Sequence, residues 1–252
     1  MTIKGSIRNV ERGQMFVIEN TETKETARIF SSDVLINSPT HGGIMKSIKA
    51  NIEDAINSVN KSAETLNLLG QQQLMARTLQ SSLGALAKET VRTGRNRTAE
   101  LNKMRENQLT AHKVESAKAL AIAVRVSGMK TSDAVKLVLS NLDAAVSVHQ
   151  NMTIAGLPAE VTDVLEEFIQ RSNLERMLAS QHNSRATLEN PFASGPDKEA
   201  LTTAAKAAIA GQRQAREDVQ LLADTMRSMC EFAAVATGKD ARVVFTELMA
   251  GA

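Results

Sequence analysis

The chain has no tryptophan and no tyrosine, and only six phenylalanines among its 252 residues. Aromatic side chains normally supply the largest blocks of buried area. Here Ala, Leu, Val, Ile and eleven Met must do so, a composition that favours closely packed helices over a thick globular core. Without Trp or Tyr the chain also lacks the side chains that mark the water interface of membrane proteins.

Cysteine occurs once, as Cys230, so no intrachain disulfide can form. A lone Cys in an apolar helical stretch reads as a small buried hydrophobe, and it fits a reducing cytosol. Long apolar runs are missing too. The most apolar stretch, Ala117 to Val126, is short and contains Lys118 and Arg125, whereas a spanning helix needs about 20 apolar residues. The opening MTIKGSIRNVERG has no apolar region of signal-peptide length. The expectation is a cytoplasmic protein with no membrane partner. A net charge of +2 is too small to imply any partner by itself.

Chemical signatures are also scarce. No glycine-rich phosphate loop and no Gly-x-Ser-x-Gly elbow occurs. His41, His112, His149 and His182 are scattered, with no recurring ligand spacing. His112 and Glu115 stand in the order His-x-x-Glu, the reverse of the Glu-x-x-His pair that carboxylate-bridged metal bundles use. The reading is therefore no metal, no cofactor and no enzyme.

What is present is periodicity. In the first forty residues, Ile3, Ile7 and Val10 precede a turn at Glu11-Arg12-Gly13, and the β-forming stretch MFVIE follows. The pattern predicts antiparallel strands over 2–10, 14–20 and 25–30, with 33–36 as a candidate fourth. So small a sheet needs a cover, either the helical body or a second chain.

From Met45 the period changes. Met45, Ile48, Ile52, Ala55, Val59, Ser62, Leu66 and Leu69 alternate by three and four. This predicts a heptad helix from 44 to 69, continuing to about 92. A break is expected near Gly94, and helix again from Thr98 to Gly128 with Leu101, Met104, Ala111, Val114, Ala117, Ala121 and Val124 inward. Further helices are expected over 132–150, capped by Thr131 or Ser132, and over 158–181, opened by Pro158. Residues 182–197 hold two prolines and a glycine and read as a linker. A second heptad helix spans 198–236, and Asp240 caps a last short one.

In that second helix Leu201, Ala205, Ala208, Gln212, Ala215, Val219, Leu222 and Met226 keep a strict four-three beat. Its small residues permit close helix approach, and Gln212 can fix register. Leu201, Ala208, Gln212, Ala215, Val219, Leu222 and Met226 are the candidate interface, within one bundle or between chains.

Charge is uneven. From Lys88 to Lys113 seven Lys/Arg face three Glu, and from Pro158 to Gln181 five acids face two Arg. These read as two solvated faces, or as patches that steer subunits head to tail. Arg92, Arg95, Arg97, Lys103 and Arg105 are candidate phosphate contacts, without neighbouring aromatics to stack on bases.

The expected fold is mainly α, an elongated helical bundle or coiled coil with a small N-terminal antiparallel β element. Its expected parts are a β element at 1–40, a helical bundle at 41–181, a linker at 182–197, and a heptad helix with a short final helix at 198–252. The expected function is a non-catalytic assembly or adaptor protein that makes helix-mediated contacts with itself or another protein. The alternative is sequence-nonspecific nucleic-acid binding through 88–113.

Overall fold

A computed structural model describes residues 2–188 and 192–250. The chain is mainly α with a small antiparallel sheet at its start, as its periodicity implies. Strands β1 (Ile3–Val10), β2 (Gly13–Asn20) and β3 (Thr26–Ser32) lie in the order β1-β2-β3. Residues 33–36, the candidate fourth strand, form instead a short helix α1 (Asp33–Ile36), because the Ser32 side chain caps it by accepting from the Val34 N–H.

The hairpin between β1 and β2 pairs Val10 with Gly13 across Glu11 and Arg12. Arg12 takes the left-handed conformation, φ 67°. A Cβ on Gly13 would lie 2.2 Å from the Ser31 carbonyl oxygen, so only glycine fits there. Alternation then sorts the faces. Ile3, Phe16, Ile18, Ala27 and Ile29 point to one side and are buried. Helix α2 (Gly42–Ser62) covers them through Ile48, Ile52 and Ile56, within one core. The helical body is thus the sheet's cover. Each large apolar side chain buried here contributes roughly 1.5–3 kcal/mol.

The first heptad seam is buried from Met45 through Ser62 and then stops. Residues 63–67 form a turn, in which Thr65 and Leu66 N–H both bond the Ser62 carbonyl. Asn67 then opens helix α3 (Leu68–Thr110), its side chain accepting from the Gly70 N–H at 2.8 Å. The continuous helix expected from 44 is therefore two. Leu66 and Leu69, in phase with the seam, are exposed. Conversely, no break occurs at Gly94; α3 runs through it, although a glycine inside a helix costs about 1 kcal/mol relative to Ala.

The helix expected from Thr98 to Gly128 is also split. Residues 111–115 interrupt it before α4 (Ser116–Ser127). The interruption changes the phase: Ala119, Ala123 and Val126 are buried, while Ala117, Ala121 and Val124, expected inward, are exposed. Met104 and Ala111 are exposed as well. The helix expected over 132–150 is two, α5 (Thr131–Val138) and α6 (Leu142–Gln150), because Asn141 caps the second through the Ala144 N–H. A short α7 (Met152–Ala155) follows, then α8 (Glu160–Leu178). In α8, Leu165 and Ile169 are buried and Val164 is exposed.

The described residues of 182–197 carry no helix, and they are tied to one another: the Ser184 N–H bonds the Gly195 carbonyl and the Asp197 N–H that of His182. Asp197 caps α9 (Lys198–Thr237) by accepting from the Glu199 and Ala200 N–H groups. Gly238, with φ 68°, ends it. Asp240 caps α10 (Ala241–Ala250) through the Arg242 N–H.

Two compact units result, Met1–Thr98 with Arg216–Ala252 and Ala99–Ala215. In the first, α3 and α9 pack together: Met75, Leu79, Leu83 and Ala87 share a core with Leu222, Met226, Met229 and Ala233. In the second, Ala123, Val138, Ala145, Val148, Leu165 and Ile169 form the core of α4, α5, α6 and α8.

Candidate interaction surfaces

The α9 seam is buried at both ends. Leu201 is buried near its start, and Leu222 and Met226 are buried in the core of the first unit. Ala208, Gln212, Ala215 and Val219 are half-buried. Those four central positions are the part of the candidate interface that keeps appreciable solvent exposure.

The basic segment is divided between the two units. Arg92 and Arg95 are exposed one turn apart on α3 in the first unit, and Lys103 is exposed in the second. Arg92 pairs with Glu89 at 2.5 Å, one turn earlier. Arg105 points elsewhere and bonds Glu166 of α8. Arg97 is half-buried, and its charge acts on His41 together with that of Asp218. Of the five candidate phosphate contacts, Arg92, Arg95 and Lys103 are exposed, and Arg97 and Arg105 are half-buried.

Two carboxylate–histidine ties in the second unit carry no sequence signature. His112 Nε2 lies 2.6 Å from Asp143 Oδ1, and Lys118 Nζ lies 2.6 Å from Asp143 Oδ2. Arg176 donates to His112 Nδ1 at 2.6 Å. An arginine cannot accept, so Nδ1 carries the lone pair and the proton sits on Nε2, facing Asp143. The hydrogen bonds from Lys118, then from His112, hold the Asp143 carboxyl below the usual carboxylate range. The second tie runs from His149 through Glu166 to Arg105. These ties hold α4, α6 and α8 to the end of α3 and the turn after it.

Two groups in the first unit are shifted by burial. His41 is 2% exposed, and its Nδ1 has no partner among the described residues. Burial holds its pKa below the ordinary value, with Arg97 adding to the effect and Asp218 opposing it. Cys230 is buried as its sequence setting suggested. Burial, helped by Glu231, pushes its thiol up to about 11. It lies in an open groove of about 400 Å³ between α9 and α10, beside Met226 and Phe245.

On α4, Ala117, Leu120, Ala121 and Val124 recur at i, i+3, i+4 and i+7, and all four are exposed, Leu120 at 44% and Val124 at 54%. The helix thus has one apolar face in the core and another in solvent. Among the described residues no group of three or more His, Cys, Asp or Glu is placed to hold a metal ion, and no helix is long and apolar enough to cross a membrane. No protein-family model, curated protein or solved structure matches the chain.

Proposed function

We propose that this is a non-catalytic assembly or adaptor protein, cytoplasmic, whose helices dock on a partner protein or on further copies of itself. The observation that carries this reading is the exposed α4 stripe of Ala117, Leu120, Ala121 and Val124. Its spacing is that of a helix-packing seam, and its two alanines let a partner helix approach closely.

The test is a double substitution, Leu120→Glu with Val124→Glu, read by size exclusion of native cell extract. The wild-type chain is expected to elute well above its 27.2 kDa, and the variant to fall to the position of the free chain with unchanged helicity. Elution of both at the same position removes the stripe from the account.

A second reading has its own observation. Arg92 and Arg95, one turn apart on α3, are both exposed, a spacing that can follow a phosphate backbone without reading bases. Arg92→Glu with Arg95→Glu is then expected to abolish binding to mixed-sequence DNA at low salt. Unchanged binding, or none by the wild type, removes this reading.

A further inference from the structure

The two edges of the N-terminal sheet are treated differently. The two-residue turn makes Val10 and Gly13 a hydrogen-bonded pair, so β1 residues 10, 8, 6 and 4 bond to β2. The backbone groups of Ile3, Gly5, Ile7 and Asn9 therefore point outward. Helical side chains occupy the first two. Gln71 accepts from the Ile3 N–H at 2.9 Å, and Asn60 both accepts from the Gly5 N–H and donates to the Gly5 carbonyl.

On the other edge, β3 residues 27, 29 and 31 bond to β2, so the groups of Thr26, Arg28 and Phe30 point outward. No hydrogen bond to these groups is present among the described residues. The β3 edge is seven residues of regular, bulge-free strand without proline. Sheets normally blunt such an edge because it templates another strand.

We infer that β3 pairs antiparallel with β3 of a second copy, joining two three-stranded sheets into one of six strands about a two-fold axis at Ile29. The residue identities select both the occupant and the register. Outward-facing groups must meet outward-facing groups, so only registers pairing even-numbered residues are open. With the axis at Ile29, Arg28 of each copy lies opposite Phe30 of the other. Both side chains are exposed and on the same outer face, and a guanidinium over a phenyl ring is attractive. Moving the axis toward Arg28 instead sets the two Arg28 charges against each other, and moving it toward Phe30 leaves both guanidinium groups without an aromatic partner. Arg28 has no ion pair among the described residues to compete. The contact uses backbone groups of the sheet and is independent of the α4 stripe. A seven-residue strand pair is a small interface, so the dimer is weak, with a dissociation constant of about 10 µM to 1 mM.

The experiment is sedimentation equilibrium of the full chain across that concentration range, beside exchange of the Arg28 and Phe30 amides. Wild type is expected to dimerise, and both amides to become protected only as concentration rises. Phe30→Pro removes an outward N–H while leaving every β2–β3 bond intact, and it should abolish dimerisation. Arg28→Glu, which leaves the backbone free, should weaken it at least about tenfold; Arg28→Lys should restore most of the affinity. A wild type that stays monomeric at about 1 mM overturns the inference. So does a dimer indifferent to Arg28→Glu, or one whose Arg28 and Phe30 amides exchange at a rate independent of concentration.

Discussion

Asn60 meets the backbone of Gly5 much as a neighbouring strand would: its amide nitrogen donates to the Gly5 carbonyl at 2.9 Å, and its Oδ1 accepts from the Gly5 N–H at 3.0 Å. A helix side chain thereby closes part of a sheet edge. Gln71 does the same one register step away, and it is fully buried, with Nε2 bonded to the Val59 carbonyl. The two amides tie β1 to α2 and α3, so the small sheet depends on the helices for its edge as well as for its core.

The two ties differ in burial, and their loss should differ in cost. Asn60 is exposed, so water replaces it, and Asn60→Ala is expected to cost about 1 kcal/mol. Gln71→Leu leaves the Ile3 N–H buried and unpaired, while the Val59 carbonyl keeps its bond from the Ser62 hydroxyl, so about 1–3 kcal/mol is expected. Urea unfolding of the two variants measures this ordering, and equal midpoints would contradict it.

At Gly5 β1 approaches α2 closely. A Cβ there would lie 2.8 Å from Ile56 Cγ2. Gly5→Ala is therefore expected to destabilise by about 1–3 kcal/mol through overpacking. Ile56→Val, which trims the opposing side chain, should recover part of that loss when the two changes are combined in thermal melts.

His41 gives the fold a pH dependence of definite sign. Burial keeps its folded pKa below the ordinary 6.5, so the unfolded chain binds the proton more readily. Stability is full above 6.5 and falls as pH drops through the lower, folded value. Asp143, also depressed, acts further down: its contribution holds above 3.8 and is lost as pH falls through its own folded value. His41→Gln should flatten the stability curve just below 6.5 while leaving the acid limb unchanged. An unaltered slope there would contradict the assignment to His41.

Cys230 should be nearly inert in the folded chain. With its thiol pushed to about 11, only about one part in a thousand is thiolate at pH 8. Labelling by a disulfide reagent is expected to be slow in buffer and fast in urea, the chain's one thiol reporting unfolding directly. Rapid native labelling would contradict the raised thiol pKa.

Much of the fold is legible in the residues. Asp197, Gly238 and Asp240 bracket α9 and open α10 as N-cap and C-terminal chemistry requires. Strand alternation around Phe16 and Ile18 places the sheet's buried face. The breaks were harder to see. Leu66 and Leu69 stay in heptad phase straight through the turn at 63–67, with no Gly or Pro inside it, and only Asn67 marks the restart. The interruption at 111–115 is likewise free of Gly and Pro, and because it resets the phase, the α4 face that periodicity assigned to the core is the one in solvent. A heptad states that a residue wants a helical neighbour, not which helix supplies it. Hence Leu222 and Met226 could be recognised as seam residues, but their burial against α3 of the same chain could not. The edge contacts of Asn60 and Gln71 had no signal at all, since each depends on residues more than fifty positions apart meeting in space.

The claim that α4 is a docking face is tested most directly by contact in the cell. A photo-crosslinking residue at Val124 captures what lies against the stripe, and one at the exposed Lys136 of α5 serves as control. Discrete protein adducts from position 124, absent from position 136 and lost with Leu120→Glu, are the expected result. A chain that yields no adduct at 124, or the same adducts from both positions, would contradict the account.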